Sequence, residues 1–473
     1  MTAIITEQQN SRASKSAATE RFNFLKRLLL AMVFGLPVPV LYFYDLIPNL
    51  VRTKYVLLLD ACICFGILLL RPKPGLMRTA AMLASCTFSL VAMDLALRPA
   101  ITRHLLGPPE LFMYYWPPMS ALWRYGTNVR FHSVISGDLA GISHSPYQEK
   151  RIFDFETDAF GFRNYPSQVD PKQGKDYDLI LLGDSMGAGA GTTQEKTWGT
   201  LFYRKYGLRT YNLSIPGSSP WHELMNLKIA CHRLHCGPQT TVLWALFAGN
   251  DLDDDYGDEL APSLSETFFG RLRTAARTYR NMSPIRNLVE RIRLLIHDPL
   301  APQVIVGNLP GGKKLLFRRV YIDATQRTYE QVRQHPHYPK LVAVLREMKR
   351  YADAEHFKVY VVFTPAKEEV YRWVLDASSV PVPDTQESGF ARAVEERCQL
   401  EGLPFLDLKP LLVAEANREF TQSGRLLWWS DDTHWNENGH EYVAGVTYRF
   451  LFGVSKQSVD SPQLAKEMIP KSN

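Results

Sequence analysis

Cysteine is scarce: six in 473 residues. They are too few and too scattered for a disulfide framework. Cys62, Cys64 and Cys86 lie in strongly apolar stretches and read as small hydrophobes. Basic and acidic residues nearly balance, 54 against 48. The net charge is +6, too small to point to nucleic acid by itself. No internal repeat is visible. With 46% apolar and 22% charged residues, the composition excludes disorder and collagen-like repeats and supports a large packed core. The length suggests roughly three structural units at about 150 residues each.

Most of the apolar excess sits before residue 100. Residues 1–24 are polar and aperiodic, a disordered tail. Lys26 and Arg27 then precede an apolar run from Leu28 to Leu46. A second runs from Tyr55 to Leu70 and a third from Thr79 to Leu97, with Arg52, Lys54, Arg71, Lys73 and Arg78 between them. Each is near the lower length limit for a membrane-crossing helix. Region 25–98 therefore reads as about three transmembrane helices, the first kinked at Pro37 and Pro39. A cleaved signal peptide fits poorly, because no small-residue cleavage site is evident. The basic tail places the amino terminus in the cytoplasm. An odd number of spans then carries the rest of the chain to the outer side of an inner or plasma membrane. Asp60 and Asp94 fall within spans, where an acid implies a polar helix contact or a place near the interface.

Residues 99–150, rich in Pro, Tyr, Trp and His, read as a linker. From Arg151 the pattern becomes that of a soluble domain, spanning 151–455, with 456–473 as a tail. Short apolar runs at 177–182, 211–214, 241–247, 357–363 and 404–406 alternate with helical patterns at 198–206, 221–235 and 341–354. Continuous apolar strands alternating with helices imply a parallel sheet covered on both faces. Ligands bind such sheets beyond the carboxyl ends of the strands. Segment 252–340 is an insertion that a minimal sheet does not need. Its stretch Arg271–Arg293 holds seven Arg and no Lys. It is either a solvated helix face or a surface for anionic headgroups or an acidic glycan.

Three short stretches stand where strands end: Gly183-Asp184-Ser185-Met186-Gly187, Gly249-Asn250-Asp251 and Asp431-Asp432-Thr433-His434. A serine on a tight strand-to-helix turn is accessible, and the helix amino terminus favours negative charge there. Serine needs a general base. His434 suits that role, because its ordinary pKa lies near neutrality. Either Asp431 or Asp432 is placed to hold the imidazole tautomer. The backbone N–H groups of Ser185 and Gly217 and the Asn250 side chain are candidate oxyanion donors. Together these are the parts for acyl transfer through a serine ester, with no cofactor and no metal required.

From about 175 to 450 the chain resembles the SGNH (GDSL-type) hydrolase superfamily, on Gly183-Asp184-Ser185, Gly217, Gly249-Asn250-Asp251 and Asp431-x-x-His434. The resemblance implies Ser185 as nucleophile, His434 as base and an oxyanion hole from Ser185, Gly217 and Asn250. It also implies a flavodoxin-like three-layer α/β/α fold. The stretches Thr157–Asn164 and Thr364–Glu368 are similar to membrane-anchored members linked to bacterial exopolysaccharides, and Asp432–His440 also to alginate-acetylating proteins. The implied substrate is an acylated carbohydrate or cell-surface polysaccharide. An O-acetyltransferase with the same residues, and a non-catalytic assembly scaffold, are the alternatives. Met186 stands where leucine is usual. The usual triad acid would be Asp431, whereas the alginate-type pattern favours Asp432.

Competing patterns are weaker. Gly183-x-Ser185-x-Gly187 also fits a nucleophile elbow, but the serine follows the first strand of the sheet rather than a central one. Gly187-Ala188-Gly189-Ala190-Gly191 lacks the dinucleotide fingerprint and reads as a flexible turn. Cys231-His232-x-x-His235-Cys236 has zinc-ligand types, yet reads as a helix end. A regular helix would hold Cys231 and Cys236 too far apart for a disulfide, which needs Cα atoms within about 7 Å. Lys367, Glu368 and Tyr371 either line the cleft or open a helix.

Overall fold

In the computed structural model, the residues described are 26–28, 30, 33, 74–102, 114–115, 123–143, 145–165, 177–254, 256, 283, 285, 303–376 and 386–453. The chain divides into two compact units: Met1–Gly107 with Ala276–His297, and Pro108–Ala275 with Asp298–Asn473.

In the first unit, helix α1 (Pro74–Thr102) contains Arg78–Ala96, 19 residues long and apolar enough to cross a membrane. It matches the third run expected from the sequence. The runs 28–46 and 55–70 lie outside the described residues, except that Leu28, Leu30 and Val33 are helical. The tails 1–24 and 456–473 are also outside them. Asp94, inside α1, is fully buried. Its carboxylate accepts from Ser283 Oγ at 2.5 Å and from the Ile285 N–H at 3.4 Å. The acid within this helix is thus satisfied by polar groups from the 252–340 insertion, as a buried carboxylate must be. Of the arginine-rich stretch 271–293, only Ser283 and Ile285 are described.

The second unit opens with a short antiparallel pairing of Tyr114–Tyr115 with Trp123–Arg124, and a hairpin follows. Strand β1 (Arg130–Ile135) pairs antiparallel with β2 (Arg151–Glu156), Ile135 facing Arg151, and helix α2 (Asp138–Ser143) lies between them. Part of the span expected to be a linker is therefore folded. Its alternation was hard to see because β1 turns Arg130, His132 and Val134 to solvent and is only half covered on its other face.

The sheet follows. Strand β3 (Leu179–Leu182) leads into the one-turn helix α3 (Ser185–Ala188) and then α4 (Trp198–Tyr206). Next come β4 (Thr210–Asn212), α5 (Pro220–Leu234) and β5 (Thr241–Phe247). A second hairpin, β6 (Val304–Asn308) with β7 (Lys314–Arg318), belongs to the insertion. It is followed by α6 (Tyr338–Glu355), β8 (Lys358–Thr364), α7 (Lys367–Val370), α8 (Gly389–Glu401), β9 (Phe405–Asp407), α9 (Lys409–Ser423) and α10 (Glu437–Phe452). The five central strands are parallel, in the order β9-β8-β5-β3-β4.

Alternate residues of these strands feed two cores. Ile180, Leu182, Val242, Trp244, Val361 and Phe363 pack with apolar residues of α5, α6 and α8. Leu179, Leu181, Leu243, Ala245 and Val362 pack with those of α4, α9 and α10. The result is three layers, α/β/α, with strands apolar on both faces as parallel sheets require. From β3 the chain moves first to β4 on one side and then to β5, β8 and β9 on the other. This reversal opens a crevice at the carboxyl ends of β3 and β5.

Candidate active site

Ser185 stands at that crevice. Gly183 packs against Ala245, where a Cβ would come within 3.1 Å. Asp184 caps α3, its carboxylate accepting from the Met186 N–H at 2.8 Å. Ser185 therefore begins a helical turn, half-buried, with Oγ 3.4 Å from Asp184 Oδ2. Gly187 admits no side chain, because a Cβ would sit 2.4 Å from Ser214 Oγ. Gly189 and Gly191 take φ of +71° and +73°, a conformation natural to glycine. The glycine-rich stretch is thus the turn that the sequence suggested.

The oxyanion candidates follow the two strands flanking β3. After β4, Gly217 adopts φ +73°. Its turn is tied to the β3 end by the Ile215 N–H donating to the Gly183 carbonyl at 3.1 Å. After β5, Asn250 directs its side-chain amide to Asp254 at 2.7 Å. An amide nitrogen carries two protons, so one remains for an oxyanion.

The two neighbouring acids play different parts. Asp432 Oδ1 lies 2.6 Å from His434 Nδ1, and its other oxygen receives an N–H of Arg151. Asp431 turns away. Its Oδ2 accepts from the Gly137 and Glu149 N–H groups, both at 2.8 Å, and Oδ1 meets Arg151 Nη1 at 3.2 Å. The usual-position acid is therefore a structural brace here, and the contact to the imidazole belongs to Asp432. Burial alone would push the imidazole down, but Asp432, with Asp138 and Asp184 nearby, outweighs it and lifts His434 to about 9. Burial would likewise raise Asp432, but the imidazole and Arg151 hold its carboxyl far below the usual range.

Contacts between loops bring the serine turn and the histidine turn together. Thr192 Oγ1 donates to the Trp435 carbonyl at 2.8 Å across 243 residues of sequence. Arg151 Nε donates to the Gly191 carbonyl at 2.7 Å while the same guanidinium grips Asp431 and Asp432. A Cβ on Gly191 would lie 2.8 Å from Asp432 Oδ2. His434 and Asp184, the neighbour of Ser185, interact electrostatically.

Several residues of the site were not singled out from the sequence. Asp138, in the span expected to be a linker, accepts from Thr433 N–H at 2.8 Å and from Thr433 Oγ1 at 2.6 Å. Burial, then repulsion from Asp432, pushes Asp138 up to about 6. Glu149 Oε2 accepts from Ser430 N–H and Oγ, at 2.8 and 2.7 Å. Arg151 opened the domain in the sequence without any mark of function. Arg163, inside the Thr157–Asn164 motif, donates to the carbonyls of Ala188, Gly189 and Thr192 and to Gln194 Oε1. That motif braces the turn after Ser185.

Lys367 and Glu368 open α7, and Tyr371 caps its carboxyl end. All three are buried, so the helix-start reading of Lys367 and Glu368 holds and the reading of the three as cleft lining is corrected. The Lys367 ammonium is fully buried and donates to the carbonyls of Asp432 and Trp429. Glu368 accepts from the Arg318 N–H at 2.7 Å, and the Tyr371 hydroxyl from the Leu427 N–H at 2.8 Å.

Asp138, Asp432 and His434 bring three ligand-type atoms within 4.8 Å of one another. The 2.6 Å separation of Asp432 and His434 is that of a charge-assisted hydrogen bond, and the Asp138 oxygens are taken by Thr433. The Cys231–Cys236 expectation is overturned: the pair forms a disulfide with Cα atoms 5.0 Å apart. The helix stops at Leu234, and His235 turns left-handed, φ 51°, which brings Cys236 back over Cys231.

No protein-family model matches the chain, and neither does any curated protein sequence. Among solved structures, the chain is similar to the psychrotrophic esterase EstA from Pseudoalteromonas sp., crystallised inhibited by monoethylphosphonate. That likeness has 12% identity, covers 59% of this chain and 98% of that one, and has a TM-score of 0.30. The Bacillus subtilis protein YxiM is similar at 11% identity, over 70% of this chain and 76% of that one, with a TM-score of 0.32. Likeness at this level says nothing of chemistry, which rests on the geometry above.

Proposed function

We propose that this chain is a membrane-attached serine esterase whose sheet unit works outside the cytoplasm. The observation that carries the reading is the 2.6 Å Asp432–His434 pair, held by loop contacts against the turn that bears Ser185. Nδ1–H donates to Asp432, which leaves the Nε2 lone pair to take the Ser185 proton. Oγ attacks the ester carbonyl, and charge gathers on the carbonyl oxygen. The Ser185 and Gly217 N–H groups and the Asn250 amide are the donors for it. His434 then passes the proton to the leaving alkoxide. An acyl-serine remains, and water releases it by the same steps.

The substrate class, an acyl group on a carbohydrate or surface polysaccharide, is read from the family resemblance. The outer location is supported by the Cys231–Cys236 disulfide, since such bonds persist in oxidising compartments. The test is labelling with a fluorophosphonate probe alongside hydrolysis of a small acetyl ester. Wild-type protein is expected to be labelled at Ser185 and to turn the ester over, and Ser185→Ala to do neither. A folded Ser185→Ala protein that keeps its activity would refute the assignment. Product analysis with and without a glycan acceptor separates release to water from transfer to a sugar.

A further inference from the structure

Glu223 lies in the first turn of α5, 1% exposed, behind the Gly217 turn. Its Oε2 accepts from Trp244 Nε1 at 2.6 Å, and its Oε1 lies 3.1 Å from Ser218 Oγ. That same hydroxyl lies 2.8 Å from the Ile215 carbonyl oxygen and 3.2 Å from that of Gly183. A hydroxyl has one proton to give, and a carbonyl can only accept. With the proton on the nearer carbonyl, the contact with Glu223 is a hydrogen bond only if the carboxyl supplies the second proton.

We propose that Glu223 stands as a neutral carboxylic acid that donates to Ser218 Oγ and thereby fixes the turn presenting the Gly217 N–H beside Ser185. It is a positioning residue, and its catalytic consequence rests on the esterase reading above. The groups that act on it are acidic. Asp184 comes from the end of β3, and Asp251, Asp254 and Tyr256 from the segment after β5. His222, on the same helical turn, faces Ser219 Oγ at 2.9 Å. Burial, reinforced by Asp184 and Asp254, pushes the Glu223 carboxyl well above the usual range, against the hydrogen bond from Trp244 and the contact with Ser218. A charge here would gain only modestly from the α5 dipole. Holding a carboxylate charge this deeply buried, with acidic groups around it, costs far more than that.

The experiment uses the full chain in detergent. An infrared difference spectrum between wild type and Glu223→Gln is recorded at neutral pH, with kcat and KM for a small acetyl ester measured on Glu223→Gln and Glu223→Ala. The expected spectrum shows a carboxylic-acid carbonyl stretch in wild type that Glu223→Gln lacks. Gln can donate to Ser218 and accept from Trp244, so kcat should stay close to wild type. Ala should lose on the order of 10- to 100-fold in kcat with KM little changed, as expected when an oxyanion donor drifts. Loss of a carboxylate band instead, or a folded Glu223→Gln as damaged as Glu223→Ala, overturns the proposal. Should Glu223→Ala fail to fold, the spectrum and the Gln variant still decide. Wild type without ester turnover would sink the esterase reading and the catalytic role with it. The infrared band would still report the protonation state, so the two failures are distinguishable.

Discussion

His434 enters neutral pH as an imidazolium, lifted to about 9 by the carboxylates around it despite its burial, whereas a general base must be neutral. We therefore expect kcat/KM to climb with pH by about tenfold per unit up to a plateau near pH 9. A profile already flat at pH 7 would contradict the shift. Linked stability runs the other way. The raised pKa contributes stability that is fully present below about 6.5 and lost as pH rises through 9. Asp432→Asn should cut kcat on the order of 10⁴-fold, as tautomer control is lost, and move the remaining profile to lower pH. Asp431→Ala should act on folding instead. It strips a partner from the Gly137 and Glu149 N–H groups and from Arg151, at a cost of about 3 kcal/mol. Chemical denaturation and kinetics on both variants would check the division. The sequence narrowed the acid to two neighbours, and the resemblance of Thr433-His434-Trp435-Asn436 tilted the choice to Asp432. Which one faces the ring depends on the path of a turn, and Arg151, Gly137 and Glu149 set that path from almost 300 residues away.

The strands were legible as elements because each is a short, largely apolar run, and their parallel arrangement followed from their alternation with helices; the strand order did not. Hairpin β1–β2 was not legible. Four of its twelve residues are exposed and five more are only partly buried, and its pairing partners are separated by α2. Yet it carries the Arg151 grip, and the loop after it carries Arg163, whose guanidinium holds three carbonyls of the turn following Ser185. A lysine offers a point charge in place of that planar fork. Arg163→Lys should therefore lower kcat by on the order of 10- to 100-fold with KM nearly unchanged, through a misplaced nucleophile. A change in KM alone would argue that Arg163 touches substrate. The Cys231–Cys236 bond escaped sequence reasoning for a similar local reason: the spacing fits a helix, and only the left-handed His235 closes the gap.

The whole molecule joins a chain segment bearing an apolar helix, Arg78–Ala96, to a parallel-sheet unit with a disulfide. If that unit lies in an oxidising compartment, Cys231 and Cys236 should resist a thiol-alkylating reagent in freshly isolated membranes until a reductant is added. Ready alkylation would place the unit on the reducing side. Replacing both by serine should lower stability by about 2 kcal/mol, the entropy of the small loop they close, seen as a downward shift in Tm. The first and last folded parts of the unit also interlock, since Asp138, Glu149 and Arg151 reach the turn at 430–434. A growing polypeptide carries its nucleophile long before it carries the base. Until the turn at 430–434 has been made, it has no competent acid–base pair. Chains ending before residue 425 should therefore stay unreactive toward the phosphonate probe.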